Sequence, residues 1–395
     1  MLNTPFSPWP SYSAEEADAV AGVLLSNRVN YWTGDAGRAF EREFADWCGC
    51  RYAIALSNGT VALEIALKAL DLAPGDEVIV TPRSFIASAS AVVLAGARPV
   101  FADVDPESQN ITAETARAVL TPRTRAILCV HLAGWPCAMD PIMALAAEHG
   151  LTVIEDCAQA HGARDKGRSV GTIGHIGAWS FCQDKIMTTG GEGGMVTTND
   201  HDLWSRMWSY KDHGKSWDAM VARDHPPGFR WLHESFGTNG RMLEMQAAIG
   251  RIQLKRMAAW TRRRAAHAAR LTEICRRHAV VRAPVVPDDR IHAWYRFCAF
   301  VVPDRLAAGW SRDRIIETIT AAGVPCYQGI CPEIYREKAF TDAGLQPPRR
   351  LPVARQLGET CLTFLVHPTL TDEEIDTTCR VLDDTLRQAG ASGKR

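Results

Sequence analysis

The sequence predicts an α/β protein, with a mostly parallel sheet covered by helices and a smaller C-terminal α+β unit. Three observations predict it. Short apolar runs alternate with longer helical patterns over the first two-thirds of the chain, and strands that alternate with helices pair in parallel. After Asn239 the texture changes to a long Ala- and Arg-rich helical pattern. The composition is that of a globular chain: 46% of 395 residues are hydrophobic and 23% charged, which excludes disorder, collagen and coiled coil for the chain as a whole.

The elements follow in order. Residues 51–57 (RYAIALS) read as a strand and 60–70 (TVALEIALKAL) as an amphipathic helix. Residues 77–81 form a strand, and 84–96 a helix that ends on Gly96. Strand 98–102, helix 112–120, strand 125–131, helix 140–150 and strand 151–155 come next. Residues 178–181 and 194–197 add two strands at the far side of the sheet, which makes seven. From 242 to about 278 runs the long helix, with Met245, Ala248, Ile252 and Met257 at helical spacing. Strand-like 295–302, helix 312–322 and a last helix at 372–387 complete the chain. The length fits two domains: 1–245, a large α/β domain with an N-terminal arm, and 246–395, a bridging helix with the small domain.

Charge narrows the function. The 44 Lys and Arg balance 45 Asp and Glu to a net −1, which argues against a general attraction to nucleic acid or an anionic membrane and leaves only a local basic patch open. The longest mainly apolar stretch, 85–97, is broken by serines and is shorter than the ~20 residues a membrane span needs. The first residues carry no signal-peptide pattern, so the expectation is a soluble, cytoplasmic protein. Twelve cysteines without a CxxC pair read as reduced, mostly buried thiols, and no metal site is predicted. The run Arg262, Arg263 and Arg264 reads as a solvated helix face.

In parallel sheets ligands bind beyond the carboxyl ends of the strands. Three such ends carry chemistry. After the first strand comes Ser57-Asn58-Gly59-Thr60 at a helix start, where glycine allows close approach and free N–H groups favour phosphate. The competing reading makes Asn58 simply an N-cap. After the fifth strand, Asp156 and Gln159 lie three residues apart, able to approach one ligand. After the sixth, Ser180 and Lys185 precede four glycines within residues 190–194. The lysine precedes the glycines, so this is no Walker loop. A phosphate cradle, an acid and a lysine are what pyridoxal 5'-phosphate requires. The lysine condenses with its aldehyde, the acid keeps its ring nitrogen protonated, and the freed lysine moves protons.

The chain resembles the DegT/DnrJ/EryC1/StrS family of sugar aminotransferases, of the aspartate-aminotransferase fold type I. The resemblance runs nearly the full length. It rests on NGT at 58–60, PGDEVIVTPRSFIASASAV at 74–92, GARPVFADVD at 96–105, VHLAGWPCAMDPI at 130–142, EDCAQAHGA at 155–163, GTIGHIGAWSF at 171–181, TTGGEGGM at 188–195 and GTNGRMLEMQAAIG at 237–250. It implies a seven-stranded, mostly parallel sheet sandwiched by helices, with a small C-terminal domain. It implies Lys185 as the cofactor-linked catalytic lysine, Asp156 as the partner of the ring nitrogen and Gln159 near the ring hydroxyl. Gly59, Thr60 and Ser180 match phosphate contacts. Phe85 matches the residue that stacks on the ring, against the alternative of a core Phe on a helix. Asn239 matches an asparagine that reaches the phosphate of a neighbouring subunit, which implies a homodimer with shared active sites. Two positions depart from the family pattern: Asn58 where Ser is usual, and Gly240 where an aromatic residue is common.

The implied activity is transfer of an amino group, with glutamate as donor, to a keto-sugar, most naturally nucleotide-linked and of the 4-keto-6-deoxy or 3-keto type. The implied setting is amino-sugar or surface polysaccharide synthesis. Two alternatives stay open: a sugar dehydratase on the same scaffold, which Lys185 speaks against because such dehydratases commonly carry His there, and a non-enzymatic regulator. His131, His161, His213, Tyr31, Trp32 and Arg230 are further polar or aromatic candidates without an assigned role.

Overall fold

The structure is a computed structural model and describes residues 5–390; residues 1–4 and 391–395, which include the very start of the N-terminal stretch read above, lie outside the described residues. Its centre is a seven-stranded sheet: β1 (Tyr52–Leu56), β2 (Glu77–Val80), β3 (Arg98–Phe101), β4 (Thr124–Val130), β5 (Thr152–Asp156), β6 (Ile176–Ser180) and β7 (Gly194–Thr198). The spatial order is β1-β7-β6-β5-β4-β2-β3. The β3/β2, β2/β4, β4/β5 and β5/β6 pairs are parallel. β7 runs antiparallel to both β6 and β1. All seven predicted strands are present, but β1 rather than β7 forms the edge. β7 is antiparallel for a simple reason: only residues 181–193 join it to β6, and a parallel return needs a longer crossover.

The strands are buried on both faces, as parallel strands should be. Helices α1 (Ala14–Leu25), α2 (Ala36–Cys48), α3 (Gly59–Lys68), α4 (Ala87–Leu94), α5 (Met139–His149) and α6 (His201–Lys211) surround them. Of these, α1, α2 and α6 are absent from the sequence reading. α4 begins three residues later than the predicted helix at 84, which leaves Ser84 and Phe85 in the turn after β2.

Helix α7 (Glu244–Arg276) spans 33 residues, and α1 and α2 lie along it. Arg256 pairs with Glu15 and Glu16, and Arg251 with Glu43. Its far end packs onto an antiparallel sheet of β8 (Val281–Arg282), β9 (Phe297–Val301), β10 (Cys326–Tyr327) and β11 (Cys361–Phe364), in the order β8-β9-β11-β10. Helices α8 (Arg312–Ala321) and α9 (Asp372–Ala389) cover it, with Ile315, Ile319, Leu382 and Leu386 in the shared core. The segment between β10 and β11 returns to the large sheet, where Ile334, Tyr335 and Phe340 join its core.

Two expectations need comment. The arginine run on α7 is not a uniformly solvated face: Arg262 is exposed and Arg263 pairs with Asp372, but Arg264 is buried. The Trp9 ring lies 5.1 Å from the Arg264 guanidinium, so the N-terminal segment covers it. The cysteines behave as expected: all twelve are free, and nine are buried.

Glu244 ties the start of α7 to α2. Its carboxylate accepts hydrogen bonds from Ala36 N (2.6 Å) and Gly37 N (3.0 Å), the orphan donors of α2's first turn. Its side chain fills the space that a Cβ on Gly34 or Gly37 would need. Glu244→Ala is expected to cost about 2 kcal/mol through two unsatisfied buried N–H groups. The check is thermal or urea unfolding, in which the variant unfolds first.

Candidate active site at the carboxyl ends of the strands

Every site residue predicted from the sequence except Asn239 lines one cavity of about 520 Å³. Each follows a strand: Gly59 and Thr60 after β1, Phe85 after β2, Asp156 and Gln159 at and after β5, Ser180 and Lys185 at and after β6.

One end of the cavity is the N-terminus of α3. Asn58 is its N-cap, with Oδ1 accepting from Val61 N at 2.9 Å, so the capping reading of Asn58 holds and its side chain is spent there. The N–H groups of Gly59 and Thr60 head the helix, where an anion is stabilised. Two glycines bring this turn against its neighbours. A Cβ on Gly59 would lie 2.5 Å from Ser180 Cβ, and one on Gly194 would lie 2.3 Å from the Asn58 carbonyl oxygen. Only glycine at both positions lets the turn, the end of β6 and the start of β7 meet.

Asp156 sits deep in the cavity wall and is buried. Its carboxylate accepts from Ser88 Oγ (2.7 Å) and Ala158 N (3.1 Å). Burial pushes its pKa up, against these two hydrogen bonds and the charge of Lys185. Gln159 is oriented by Ala133 N, which donates to its Oε1 at 2.8 Å. Phe85 is 65% exposed, so it is not a core residue on a helix but an aromatic ring offered to the cavity.

Lys185 stands where this cavity meets a second one of about 550 Å³, which shares Ser84, Phe85, Gln159 and Asp184 with the first. The second cavity adds Tyr295 and Arg296, just before β9, and Tyr327 of β10. Lys185 Nζ lies 3.3 Å from Asp184 Oδ1 and 5.3 Å from the Tyr295 ring centroid. Tyr295 Oη donates to Asp184 Oδ2 at 2.5 Å. Burial opposes the charge on Lys185, but Tyr295 and Asp184 outweigh it and its pKa is raised. Ser84, Ser88, Asp184, Tyr295 and Arg296 are absent from the sequence reading. The Asp184-Lys185 pair and the serines spaced by four before Asp156's neighbourhood were the available signals; nothing local marks Tyr295 or Arg296.

The remaining candidates fall outside. Tyr31 is buried and donates to Glu41 at 3.1 Å, Trp32 packs against Trp208, and Arg230 is exposed; none of them lines either cavity. Asn239 is exposed and also lies away from both. Gly240 packs on α3, where a Cβ would lie 3.1 Å from Val61 and 3.2 Å from Ile65, so a side chain there would have to push both aside. His131, Glu155 and Cys157 cluster behind Asp156. His131 Nδ1 accepts from Cys137 N (2.9 Å) and Nε2 faces Glu155 (2.9 Å), so both ring nitrogens are engaged and the imidazole satisfies buried backbone.

The residues present fit pyridoxal 5'-phosphate. An anion-binding helix start, an exposed ring beside the cavity, a buried carboxylate short of a cationic partner and a lysine all face one space. The first three would hold its phosphate, ring and ring nitrogen, and Lys185 its aldehyde carbon.

Three buried histidines make acid a test of this core. Burial pushes His161, His292 and His367 each down to about 3. Unfolded, each titrates near ~6.5. Between those values the unfolded chain binds more protons, so their contribution is present above the unfolded value and is lost as pH falls towards 3. The midpoint of thermal unfolding should therefore drop as pH falls from 6.5 to 5, before most carboxylates titrate. His161→Gln should flatten that slope by up to about 1.4 kcal/mol per pH unit; an unchanged slope would show that His161 charges without cost.

Known proteins share this sequence and fold. The profile of the DegT/DnrJ/EryC1/StrS aminotransferase family matches residues 10–383. GDP-perosamine synthase of Caulobacter vibrioides is 37% identical over 370 residues, covering 90% of this chain and 92% of the relative. UDP-N-acetyl-3-dehydro-alpha-D-glucosamine 3-aminotransferase of Acidithiobacillus ferrooxidans is 38% identical over 369 residues, covering 92% of each. The X-ray structure of an aminotransferase from Psychrobacter cryohalolentis superposes with a TM-score of 0.96 at 61% identity, covering 98% of this chain and 100% of that one. The chain belongs to the DegT/DnrJ/EryC1/StrS aminotransferase family, and it is a pyridoxal 5'-phosphate-dependent aminotransferase of that fold.

Proposed function

We propose that this enzyme moves an amino group from L-glutamate to the keto group of a nucleotide-linked sugar, of the 4-keto-6-deoxy or 3-keto type, in the cytoplasm. The observation that carries the reading is Lys185 at the junction of two cavities, one with the anion site and buried acid, the other open to a substrate. The two relatives above, nearly equal in identity, are named for a GDP-sugar and a UDP-sugar. Their common denominator is a nucleotide-linked sugar, and it defines the class proposed here.

The cofactor, when bound, withdraws electrons from the carbon that carries the amino group and so acidifies its C–H bond. The chain supplies the rest. Asp156, buried and hydrogen-bonded, keeps a positive charge on the ring nitrogen favourable. Gly59, Thr60 and Ser180 would hold its phosphate, and Phe85 would lie beside its ring. Lys185 Nζ is the group that takes and returns the proton, held in place by Asp184 and the Tyr295 ring. Gln159, fixed by Ala133, would meet the ring edge.

Asn239 belongs to a second copy in this reading. It is exposed and outside its own cavity, and the exposed Phe229, Trp231 and Phe236 precede it on the same segment. A homodimer would bury those rings and bring each Asn239 to the other chain's phosphate. The domain division at 245/246 is part of the same proposal: it falls in the first turn of α7, whose two ends pack on different sheets.

The purified holoenzyme should show visible cofactor absorption that L-glutamate bleaches and a keto-sugar nucleotide restores, with an aminated sugar found by mass spectrometry. Lys185→Ala should abolish the bleaching while the protein stays folded; repeated turnover by that variant would remove Lys185 from the mechanism. Asp156→Asn should stabilise the cofactor-free protein, because a buried carboxylate is gone, yet lower turnover by roughly 10²–10³-fold. Turnover within a fewfold of wild type would show that the ring nitrogen needs no acid here.

A further inference from the structure

We infer that Trp9 is a positioning residue for Lys185: its indole N–H holds the main chain from which the lysine reaches into the cavities. The inference rests on the reading of Lys185 given above and adds what keeps that lysine in place.

Lys185 Nζ must exchange one contact for another as it meets the cofactor, a proton and a substrate. Its side-chain contacts to Asp184 and Tyr295 are therefore not a permanent hold, and a lasting one has to act on the main chain. Two soft dihedrals, one on each side of the Cα, set where a side chain starts. Lys185 belongs to neither a helix nor a strand, so no ladder fixes them. On one side Lys185 N donates to the Cys182 carbonyl at 3.0 Å. On the other, Trp9 Nε1 donates to the Lys185 carbonyl at 2.8 Å. Among the described residues no main-chain N–H reaches that carbonyl. The indole of the N-terminal arm thus supplies the second anchor.

Its neighbours aim the indole. The ring meets Trp260 edge-on with centroids 5.1 Å apart, stacks on His367 at 6.0 Å and lies 5.1 Å from the Arg264 guanidinium. Trp260 and Arg264 belong to α7, and His367 lies between β11 and α9. The arm is tied down on both sides of the ring. Ser7 donates through N and Oγ to Glu374 at the start of α9, and Thr369 Oγ1 donates to the Pro8 carbonyl at 2.8 Å. The Tyr12 hydroxyl lies 3.4 Å from Thr188 Oγ1, on the same loop as Lys185. An indole has one donor and no acceptor, so its single polar atom marks what it serves. Here the ring is spent on α7 and the small domain, and the N–H on Lys185.

A carbonyl released at this point lets the 185–186 peptide turn. A small rotation at the Cα is then carried along four methylene groups to Nζ. Proton transfer depends on that placement far more steeply than donor binding does.

The test uses cofactor-loaded enzyme and cofactor-free protein. Benzothienylalanine, placed at position 9 by stop-codon suppression, keeps the shape of the indole and has sulfur in place of its N–H. This variant and Trp9→Phe should lose roughly 3- to 10-fold in the single-turnover rate at saturating L-glutamate, read by the bleaching of the cofactor's absorption. The half-saturating glutamate concentration should stay within about twofold of wild type. In the cofactor-free protein, hydrogen exchange over residues 182–188 should quicken in both variants. A wild-type rate with benzothienylalanine overturns the proposal whatever Trp9→Phe does, because the ring alone then suffices. So does a loss that falls on the half-saturating concentration with the rate intact, and so does unchanged exchange over 182–188. If wild-type absorption responds to no amino acid, the aminotransferase reading itself fails, and the exchange measurement still decides whether Trp9 holds that segment.

Discussion

A carboxylate taken out of water must find positive charge or donors, and Asp156 finds only part of what it needs within the chain. It closes β5, buried, with Ser88 and the Ala158 N–H as its close donors. Burial alone pushes it towards the neutral form. A protonated ring nitrogen placed in the cavity would supply the missing charge, and the same contact would keep that nitrogen protonated. Cofactor affinity and catalytic power are thus two readings of one electrostatic deficit. The neighbouring cluster stabilises the position without competing for it: His131 and Glu155 engage each other and nearby backbone N–H groups, so they hold the ends of β4 and β5 in register.

Close packing makes the other half of the site. An anion site at the start of α3 is useful only if the end of β6, with Ser180 and then Lys185, lies against it. Gly59 and Gly194 permit that approach at distances no Cβ tolerates. The antiparallel β7 follows from the same requirement. Residues 181–193 must carry Lys185 to the cavity and return at once, so that Gly194 pairs with Ser180 and with Leu56 on either side. The short return forgoes a parallel pair and gains a clamp around the start of α3.

Much of this was legible because its residues are local. Asp156 and Gln159, Ser180 and Lys185, and Gly59 and Thr60 each follow an apolar run directly, and a parallel sheet brings such ends to one rim. Ser88 was not legible, because a run of Ala and Ser reads as filler on a helix, and only the fold turns that helix towards Asp156. Tyr295 and Arg296 arrive from a different sheet, more than a hundred residues after Lys185, with no motif around them. Arg264 misled in the opposite direction. Charge on a helix normally marks the solvated face, but here an N-terminal segment lies across it and places Trp9 over the guanidinium. Coverage by a distant segment leaves no trace in local periodicity. Helix α2 does carry one clear stripe, with Gly37, Phe40, Phe44 and Cys48 buried at helical spacing, and was legible though unread; α1 and α6 bury fewer positions, Glu16 in one and Met207, Trp208 and Lys211 in the other.

An enzyme that handles two unlike substrates at one lysine must recognise each by what differs between them. Both bring their reacting carbon to the same point beside Lys185. The donor brings a carboxylate bonded to that carbon, and the sugar brings hydroxyls close by with its phosphates further off. Recognition of the nucleotide belongs further out, beyond the residues that line the two cavities of one chain. Phe229 and Trp231 have the exposure for that outer role, and within one chain they line neither cavity. On the proposed homodimer the acid and the lysine belong to one chain and Asn239 of its partner joins the phosphate end, whereas the choice of sugar nucleotide falls to the exposed surface outside both cavities. Relatives of nearly equal identity named for different nucleotides are what such a division produces, since the outer surface can change without disturbing the buried acid, the anion site or the lysine.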